Sequence, residues 1–405
     1  GCIILIMSVF SNKRILLGVT GSIAAYKAAD LASKLTQAGA LVDVILTEAA
    51  QKFVTPLTFQ SVTGRRAHTD SDLWGNEAHV LHVGLGHTAN LLMIAPCTAN
   101  TIAKLAYGQA DTLLTVTSLA ATCPLLLAPA MDGGMYDHPA TQENLDTLRK
   151  RGAHIIEPAD GRLASGLAGT GRLPETPELI GNIRLILGRD GWLANRKVIV
   201  TAGGTQEPLD PARVLTNHSS GKQGYAIAQA ALDAGAQVTL ITAPTALKPP
   251  VGARVMQAQT ARQMLDAVLQ ESAGSDALIM AAAVADFRPK HLAKDKIKKE
   301  GGAPQIELEA TDDILKAVSS HNGGKTRPKV VVGFAAESRN LLENAANKLE
   351  SKKLDVIAAN DISAGDAGFA VETNRITLLF ADGREESLSL MSKIDAAEIL
   401  IERVA

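Results

Sequence analysis

The chain has 405 residues, 46% hydrophobic and 20% charged, with 40 Lys and Arg against 42 Asp and Glu for a formal charge of −2. That length accommodates two or three domains, each with its own core, and so balanced a charge offers no basic field for nucleic acid or an anionic membrane. Aromatics at 3% leave little for base stacking, and Cys2, Cys97 and Cys123 fit neither a disulfide framework nor a zinc pattern, so a reducing cytoplasm is expected.

The apolar start at residues 2–7 is too short for a membrane span and has no basic leader or small-residue cleavage site. No signal peptide is read there, and a translation start at Met7 stays open. Near-continuous Val, Ile and Leu runs follow at 15–19, 41–46, 91–95, 124–128 and 154–156, alternating with helical patterns. Such runs predict strands buried on both faces of a parallel α/β sheet. The spacing predicts a helix over 22–37, with Ser22 as N-cap, Leu31 and Leu35 on its buried face and Gly39 as terminator. The first strand runs into Gly18-Val-Thr-Gly21-Ser22-Ile23-Ala24, which is not G-x-G-x-x-G, and the second ends in Thr47-Glu48. A dinucleotide fingerprint is therefore weak. A mononucleotide phosphate on the helix N-terminus suits the residues better, with Thr47 and Thr98-Ala99-Asn100-Thr101 as partners, and a flavin is the guess.

The same grammar restarts with strands expected at 197–200, 237–242, 277–281, 330–332, 356–359 and 375–380. A connector at 188–195 divides the chain into domains 1–190 and 191–405. Residues 157–177 and 287–306 read as long irregular segments of the kind that form lids. Residues 201–224 are the most informative stretch: a strand end spills into glycines and hydroxyls before a helical pattern at 225–234, leaving free N–H groups for an anion. Arg213, Asn217, His218 and Lys222 add partners for several negative groups. An ordinary strand–helix connector is the plain alternative, disfavoured by length and polarity. Ser219-Ser-Gly-Lys222 is not a Walker A loop, because Thr216 stands where its first glycine belongs and Gln223 replaces Ser or Thr.

Five motifs occur in order: Gly21-Ser-Ile-Ala-Ala-Tyr-Lys27, Thr47-Glu-Ala-Ala-Gln-Lys-Phe-Val-Thr-Pro56, His82-Val-Gly-Leu-Gly86, Ala95-Pro-Cys-Thr-Ala-Asn-Thr101 and Pro129-Ala-Met-Asp-Gly-Gly-Met135. Together they resemble the FMN-dependent cysteine decarboxylases. Residues 201–224, Ala283-Val-Ala-Asp286 and Lys296-Ile-Lys-Lys299 resemble the CTP-dependent phosphopantothenate–cysteine ligases. In that order, from about Lys13 to the C-terminus, the chain resembles a bifunctional family of coenzyme A biosynthesis. The resemblance implies two tandem three-layer α/β domains, flavodoxin-like and then Rossmann-like. It implies FMN and Mg2+ as cofactors, and 4′-phosphopantothenate, cysteine, CTP and phosphopantothenoylcysteine as small-molecule substrates. Neither nucleic acid nor membrane is implied as a partner. A homo-oligomer is, with trimeric flavin domains and dimeric ligase domains.

For the first domain the resemblance assigns FMN to Gly21, Ser22, Ile23, Thr47, Thr98, Ala99, Asn100 and Thr101. It makes His82 the active-site histidine and Met135 a substrate contact. Asp132 departs from the family's Asn, which holds the substrate carboxylate; a carboxylate there must be protonated, paired with a cation, or act by destabilising the carboxylate that leaves. Ser165, in the segment from Gly161 to Arg172, replaces the family's cysteine proton donor and is a far weaker acid than a thiol of pKa about 8.5. Another acid or water, a leak of the ene-thiol, or an inactive domain would each accommodate this, and a working variant is expected.

For the second domain the resemblance implies an acyl-cytidylate formed on CTP and then opened by the cysteine amine. Gly203, Gly204, Thr205 and Lys222 would meet the nucleotide, Asp286 the nucleotide or metal, and Lys296, Lys298 and Lys299 form a flexible arm. Asn217 matches the residue that handles the acyl-cytidylate, and Arg213 is a candidate for the phosphopantothenate phosphate. Thr311, Asp312, Asp313, Ile314, Phe334, Lys348 and Lys352 align with other CTP contacts. By charge alone the run 290–299 reads as a solvated face, and Phe334 as core. Two alternatives stay beside the bifunctional enzyme: a ligase fused to a silent FMN domain, and a flavin-binding regulatory protein.

Overall fold

A computed structural model describes residues 8–74, 78–162, 166, 168–298, 305–337, 340–361 and 373–404. Ser165 and Lys299 lie outside the described residues. The chain divides into two compact units, Met7–Leu187 and one running from Gly188 to Ala405.

In the first unit β1 (Arg14–Val19), α1 (Ala25–Gln37), β2 (Leu41–Leu46), α2 (Pro56–Thr63), β3 (Ala67–Thr69), α3 (Ala78–Thr88), β4 (Leu91–Cys97), α4 (Ala99–Tyr107), α5 (Leu113–Ala120) and β5 (Leu125–Pro129) succeed one another. The single turn α6 (Gly133–Tyr136), α7 (Pro139–Lys150), β6 (His154–Ile155), the hairpin β7 (Ala159–Arg162) and β8 (Ala168–Arg172), and α8 (Thr176–Gly188) complete it. The six-stranded sheet runs β3-β2-β1-β4-β5-β6, every pair parallel. Its continuous apolar runs are explained by burial on two faces. Ile15, Leu17 and Val19 join Leu31 and Leu35 of α1 on one face, while Leu16 joins Ile102, Leu114 and Leu145 on the other. This is the doubly wound three-layer class, whose crevice opens at the carboxyl ends of the strands where the order reverses, here between β1 and β4.

Two local expectations need correction. Helix α1 starts at Ala25, and Ser22 is not its N-cap. The Ser22 hydroxyl instead accepts from the Ala24 N–H at 3.3 Å, closing a turn ahead of the helix. Residues 157–177 are not an irregular lid throughout, because β7 and β8 pair antiparallel within them.

The second unit contains β9 (Lys197–Ala202), the hairpin β10 (Gln206–Asp210) and β11 (Arg213–Thr216), α9 (Lys222–Asp233), β12 (Gln237–Thr242), β13 (Arg254–Gln257), α10 (Ala261–Ser272) and β14 (Ala277–Met280). It continues with β15 (Phe287–Pro289), β16 (Leu308–Ala310), α11 (Ile314–Ser320), β17 (Val330–Glu337), α12 (Leu341–Ser351) and β18 (Val356–Asp361). The strands β19 (Thr373–Asn374), β20 (Ile376–Phe380), β21 (Glu385–Ser387) and β22 (Met391–Ser392) lead to α13 (Lys393–Val404). Eight strands form the sheet β13-β12-β9-β14-β17-β18-β20-β21, parallel as far as β18 and antiparallel beyond it. Helices α10, α11 and α12 share one core with β9, β12, β14 and β17, and α9 packs on β9, β12 and α13.

The strand starts of this sheet are tied by Asp276. Its carboxylate accepts from Lys329 Nζ at 2.7 Å, from Arg196 Nη1 at 3.2 Å and from the Lys197 N–H at 2.9 Å. The Lys329 bond, then the Lys197 N–H, hold its pKa at about 2 against an ordinary 3.8. A pKa depressed by folding contributes stability that is present above 3.8 and is lost as pH falls toward about 2. Asp276→Asn is therefore expected to lower the Tm at pH 7 by ~2–4 °C, modest because the pair is partly solvated. In melts taken across pH, that gap should narrow below pH 3.8.

Candidate active sites

At the carboxyl ends of β1, β4 and β5 lies a cavity of about 780 Å3, lined by Gly21, Ser22, Ile23, Thr98, Ala99, Asn100, Asp132 and Met135, with Arg162, Gly171 and Arg172 from the β7–β8 hairpin. A second cavity of about 390 Å3 shares Gly21, Thr98 and Asn100 and adds Thr47 and Thr101. All eight residues assigned to the cofactor thus line one cavity or both. Hydrogen bonds lace the loops together. Thr20 Oγ1 donates to the Pro96 carbonyl at 2.7 Å and accepts from the Thr98 N–H at 3.1 Å. Thr98 caps α4 by accepting from the Thr101 N–H at 3.3 Å, and unbonded N–H groups in a first helical turn favour an anion. A flavin mononucleotide fits these residues and this volume.

Asp132 caps α6, its Oδ1 accepting from the Gly134 N–H at 3.1 Å. The guanidinium-bearing Arg162 and Arg172 line the same cavity. The hairpin is held to this segment by the Met131 N–H, which donates to the Gly171 carbonyl at 3.0 Å. Just beyond, the Tyr136 hydroxyl donates to Glu157, and burial together with that carboxylate pushes the phenol up to about 12. Tyr136 is therefore no ready proton donor in place of the family's cysteine. The other described thiols do not stand in either: Cys97 is buried in the core, and Cys123 borders a different cavity of about 300 Å3. His82 sits half-buried on α3 and lines neither of the two linked cavities. Its Nδ1 is buried without a hydrogen-bond partner among the described residues.

In the second unit, 201–224 is not one polar connector, since β10 and β11 divide it. Gly203 and Gly204 turn the chain out of β9. The Gly203 carbonyl accepts from the Ala283 N–H at 2.8 Å, and the Thr205 N–H donates to the Ala283 carbonyl at 3.2 Å. Thr205 Oγ1 accepts from the Ala285 N–H at 2.9 Å, and Asn217 Nδ2 donates to the Val284 carbonyl at 3.1 Å. The Thr311 N–H and hydroxyl then bond the carbonyls of Asp286 and Ala285 at 2.9 and 2.6 Å. Three distant loops thereby bring Gly203, Gly204, Thr205, Asn217, Asp286 and Thr311 together at the carboxyl ends of β9 and β14. Lys222 opens α9 behind Gly221, whose φ is +74°.

The remaining residues are placed less uniformly. Asp313 caps α11 and pairs with Lys352 Nζ at 3.2 Å, and Asp312 lies 3.6 Å from Arg262. Ile314 and Thr205 are buried, Ile314 in the core and Thr205 with its hydroxyl already bonded, so their side chains are scaffold. Any substrate contact there falls to backbone atoms, in keeping with the N–H donors expected of this loop. Phe334 on β17 and Lys348 on α12 are half-buried, and Lys296 is exposed. No cluster of three or more His, Cys, Asp or Glu suited to a metal occurs among the described residues.

The family described as Flavoprotein matches residues 8–187, and that described as DNA/pantothenate metabolism flavoprotein C-terminal domain matches 193–405. The Coenzyme A biosynthesis bifunctional protein CoaBC of Bacillus subtilis (strain 168) is 44% identical over 398 residues, 98% of this chain and 97% of the relative. The chain belongs to the coenzyme A biosynthesis bifunctional protein family. The protein of the same description from Mycobacterium tuberculosis (strain ATCC 25618 / H37Rv) is 45% identical over 404 residues, covering 97% and 96% of the two chains. A solved structure of the C-terminal domain of Coenzyme A biosynthesis bifunctional protein CoaBC is 38% identical, covers 52% of this chain and 94% of that one, and has a TM-score of 0.44.

The sequence reading singled out the segment from Gly161 to Arg172 but not Arg162 and Gly171 within it, which line the first cavity. Each is an ordinary residue type in a turn or short strand, visible only once the hairpins fold. Gly21 was legible, and its reason is steric: a Cβ would lie 2.4 Å from Ala49 Cβ and 3.1 Å from the Ala49 carbonyl carbon. Gly21→Ala is expected to push the β1 and β2 loops apart and weaken flavin retention ~10-fold or more. Flavin absorbance per chain after purification and dialysis measures this.

Proposed function

We propose that the second domain joins 4′-phosphopantothenate to cysteine with CTP, and that the first converts the product to 4′-phosphopantetheine with loss of CO2. The observation that carries this reading is that each motif set converges on the carboxyl ends of its own doubly wound sheet, where such folds bind ligands. In the ligase half the phosphopantothenate carboxylate attacks the CTP α-phosphorus and pyrophosphate leaves. The cysteine amine then displaces CMP, forming the amide. Lys222 and Lys296 offset the charge that builds on the phosphates, Asp286 would hold an Mg2+ that adds to that offset, and Asn217 orients the mixed anhydride.

In the decarboxylase half, bound FMN would supply the two-electron oxidation of the cysteinyl thiol and the later return of that pair. The chain's own part is to bind and orient. The Gly21 loop and the α4 N-terminus hold the flavin's phosphate, and Met135 and the β7–β8 hairpin enclose the substrate. Arg162 and Arg172 balance the charge of Asp132 and of the departing carboxylate. His82 moves the thiol proton. Because His82 lines neither cavity within one chain, and Val80 and Val83 beside it are exposed, we read the flavin site as completed by a second copy in a homo-oligomer. No helix among the described residues is long and apolar enough to cross a membrane.

The test is one assay with phosphopantothenate, cysteine and CTP, read by mass spectrometry. Phosphopantetheine is expected. Phosphopantothenoylcysteine accumulating without CO2 would refute the decarboxylase half, and turnover gained in Ser165→Cys would then identify the missing donor. Absence of CTP-dependent pyrophosphate would refute the ligase half.

A further inference from the structure

We propose that Asp210 and Arg213 form a clamp that sets the position of the Lys296 arm, which makes Asp210 a positioning residue for ligation. The inference rests on the reading of Lys296 given above. Asp210 ends β10 and its side chain is fully buried. Its Oδ1 accepts from the Ala212 N–H at 2.8 Å, and its Oδ2 accepts from Arg213 Nη1 at 3.1 Å and from the Ile297 N–H at 3.1 Å. Arg213 Nη1 also donates to the Ile297 carbonyl at 3.2 Å. Both polar backbone groups of one residue, 87 positions from Asp210, are therefore held by a single ion pair.

A buried carboxylate is costly unless its oxygens are bonded, and here three donors compensate it. Burial raises the Asp210 pKa, but the Ala212 and Ile297 N–H groups and the Arg213 charge outweigh this and lower it. One of those donors belongs to the arm itself, so releasing the arm would leave the carboxylate short of a partner. The arm is fastened a second time where the Ala293 N–H donates to the Leu209 carbonyl at 3.2 Å. Between and beside these anchors stand exposed Lys294, Lys296 and Lys298. An exposed lysine carries a mobile charge, and fixing its backbone removes much of the search for the triphosphate. Arg213, with Nη1 engaged on Asp210 and Ile297, serves this clamp before it serves a substrate phosphate.

Three variants in the full chain test this: Asp210→Asn, Lys296→Ala and the pair combined, assayed for CTP-dependent pyrophosphate release. Asp210→Asn should lower kcat ~10-fold or more, and the double variant should be no slower than Lys296→Ala within about twofold, since both changes act on one device. Ile297→Pro, which removes the arm's donor while keeping the Asp210 side chain, should reproduce the loss and the same non-additivity. Trypsin should cut after Lys296 and Lys298 faster in Asp210→Asn. Additive losses, or an unchanged kcat in Asp210→Asn and Ile297→Pro, would overturn the clamp while leaving Lys296 in place. A harmless Lys296→Ala would remove the reading of the arm and the clamp with it.

Discussion

Gly171→Ala is expected to reduce CO2 release from phosphopantothenoylcysteine at least ~100-fold while leaving CTP-dependent ligation unchanged. A Cβ on Gly171 would sit 2.2 Å from the Met131 carbonyl oxygen and 3.3 Å from the Gly133 N atom. Both neighbours are backbone, so no side chain can swing away. The strain cannot be relieved without parting β8 from the segment that carries Asp132, because the Met131 N–H bonds the Gly171 carbonyl at 3.0 Å in the same contact. Parting them widens the 780 Å3 cavity between Asp132, Arg162 and Arg172 and removes the offset between carboxylate and guanidinium charge. Flavin should stay bound, since Gly21, Thr98 and Asn100 belong to other loops. Stopped CO2 release with retained flavin absorbance is the expected pair of results. Turnover within twofold of wild type would show that the Asp132 segment does not need this hairpin.

The fold was legible where hydrophobicity is unambiguous. Runs such as 15–19 and 91–95 are apolar because helices cover both faces of the sheet, and Gly39, at φ +98°, ends α1 as its position suggests. The hairpins were not legible. Strand β7 is Ala-Asp-Gly-Arg and β8 is Ala-Gly-Thr-Gly-Arg, with no β-branched apolar stripe to mark them. Their pairing follows from docking on the Met131 backbone, a long-range contact with no local signature. Asp210 was hidden for a related reason: in Leu-Asp-Pro it looks like a solvated turn residue, and its bond to Ile297 joins residues 87 positions apart. Motif order located the loops that gather at the carboxyl ends of both sheets. Which backbone groups bind those loops to each other, and hence which glycines and carboxylates they cannot spare, required the tertiary contacts.

Gly204→Ala carries the same logic into the ligase domain and should depress pyrophosphate release at least ~100-fold. A Cβ there would meet the Asn217 carbonyl oxygen at 2.7 Å and Thr216 Oγ1 at 3.3 Å. The hydroxyl could rotate, but the carbonyl belongs to the residue whose side chain bonds Val284 at 3.1 Å. Gly204 itself is bridged to Ala283 in parallel pairing, and Thr205 is anchored on both sides by Ala283 and Ala285. With Gly204 pinned by that bridge, the displaced partner is Asn217, together with the 217–221 turn that delivers Lys222 to the start of α9. The loss should therefore fall on kcat for acyl-cytidylate formation and on the KM for CTP together. Decarboxylation of supplied phosphopantothenoylcysteine should be unaffected, because that chemistry uses the other sheet. Equal losses in both half-reactions would instead indicate a general unfolding of the chain, and a wild-type pyrophosphate rate would show that Asn217 need not be held against Val284.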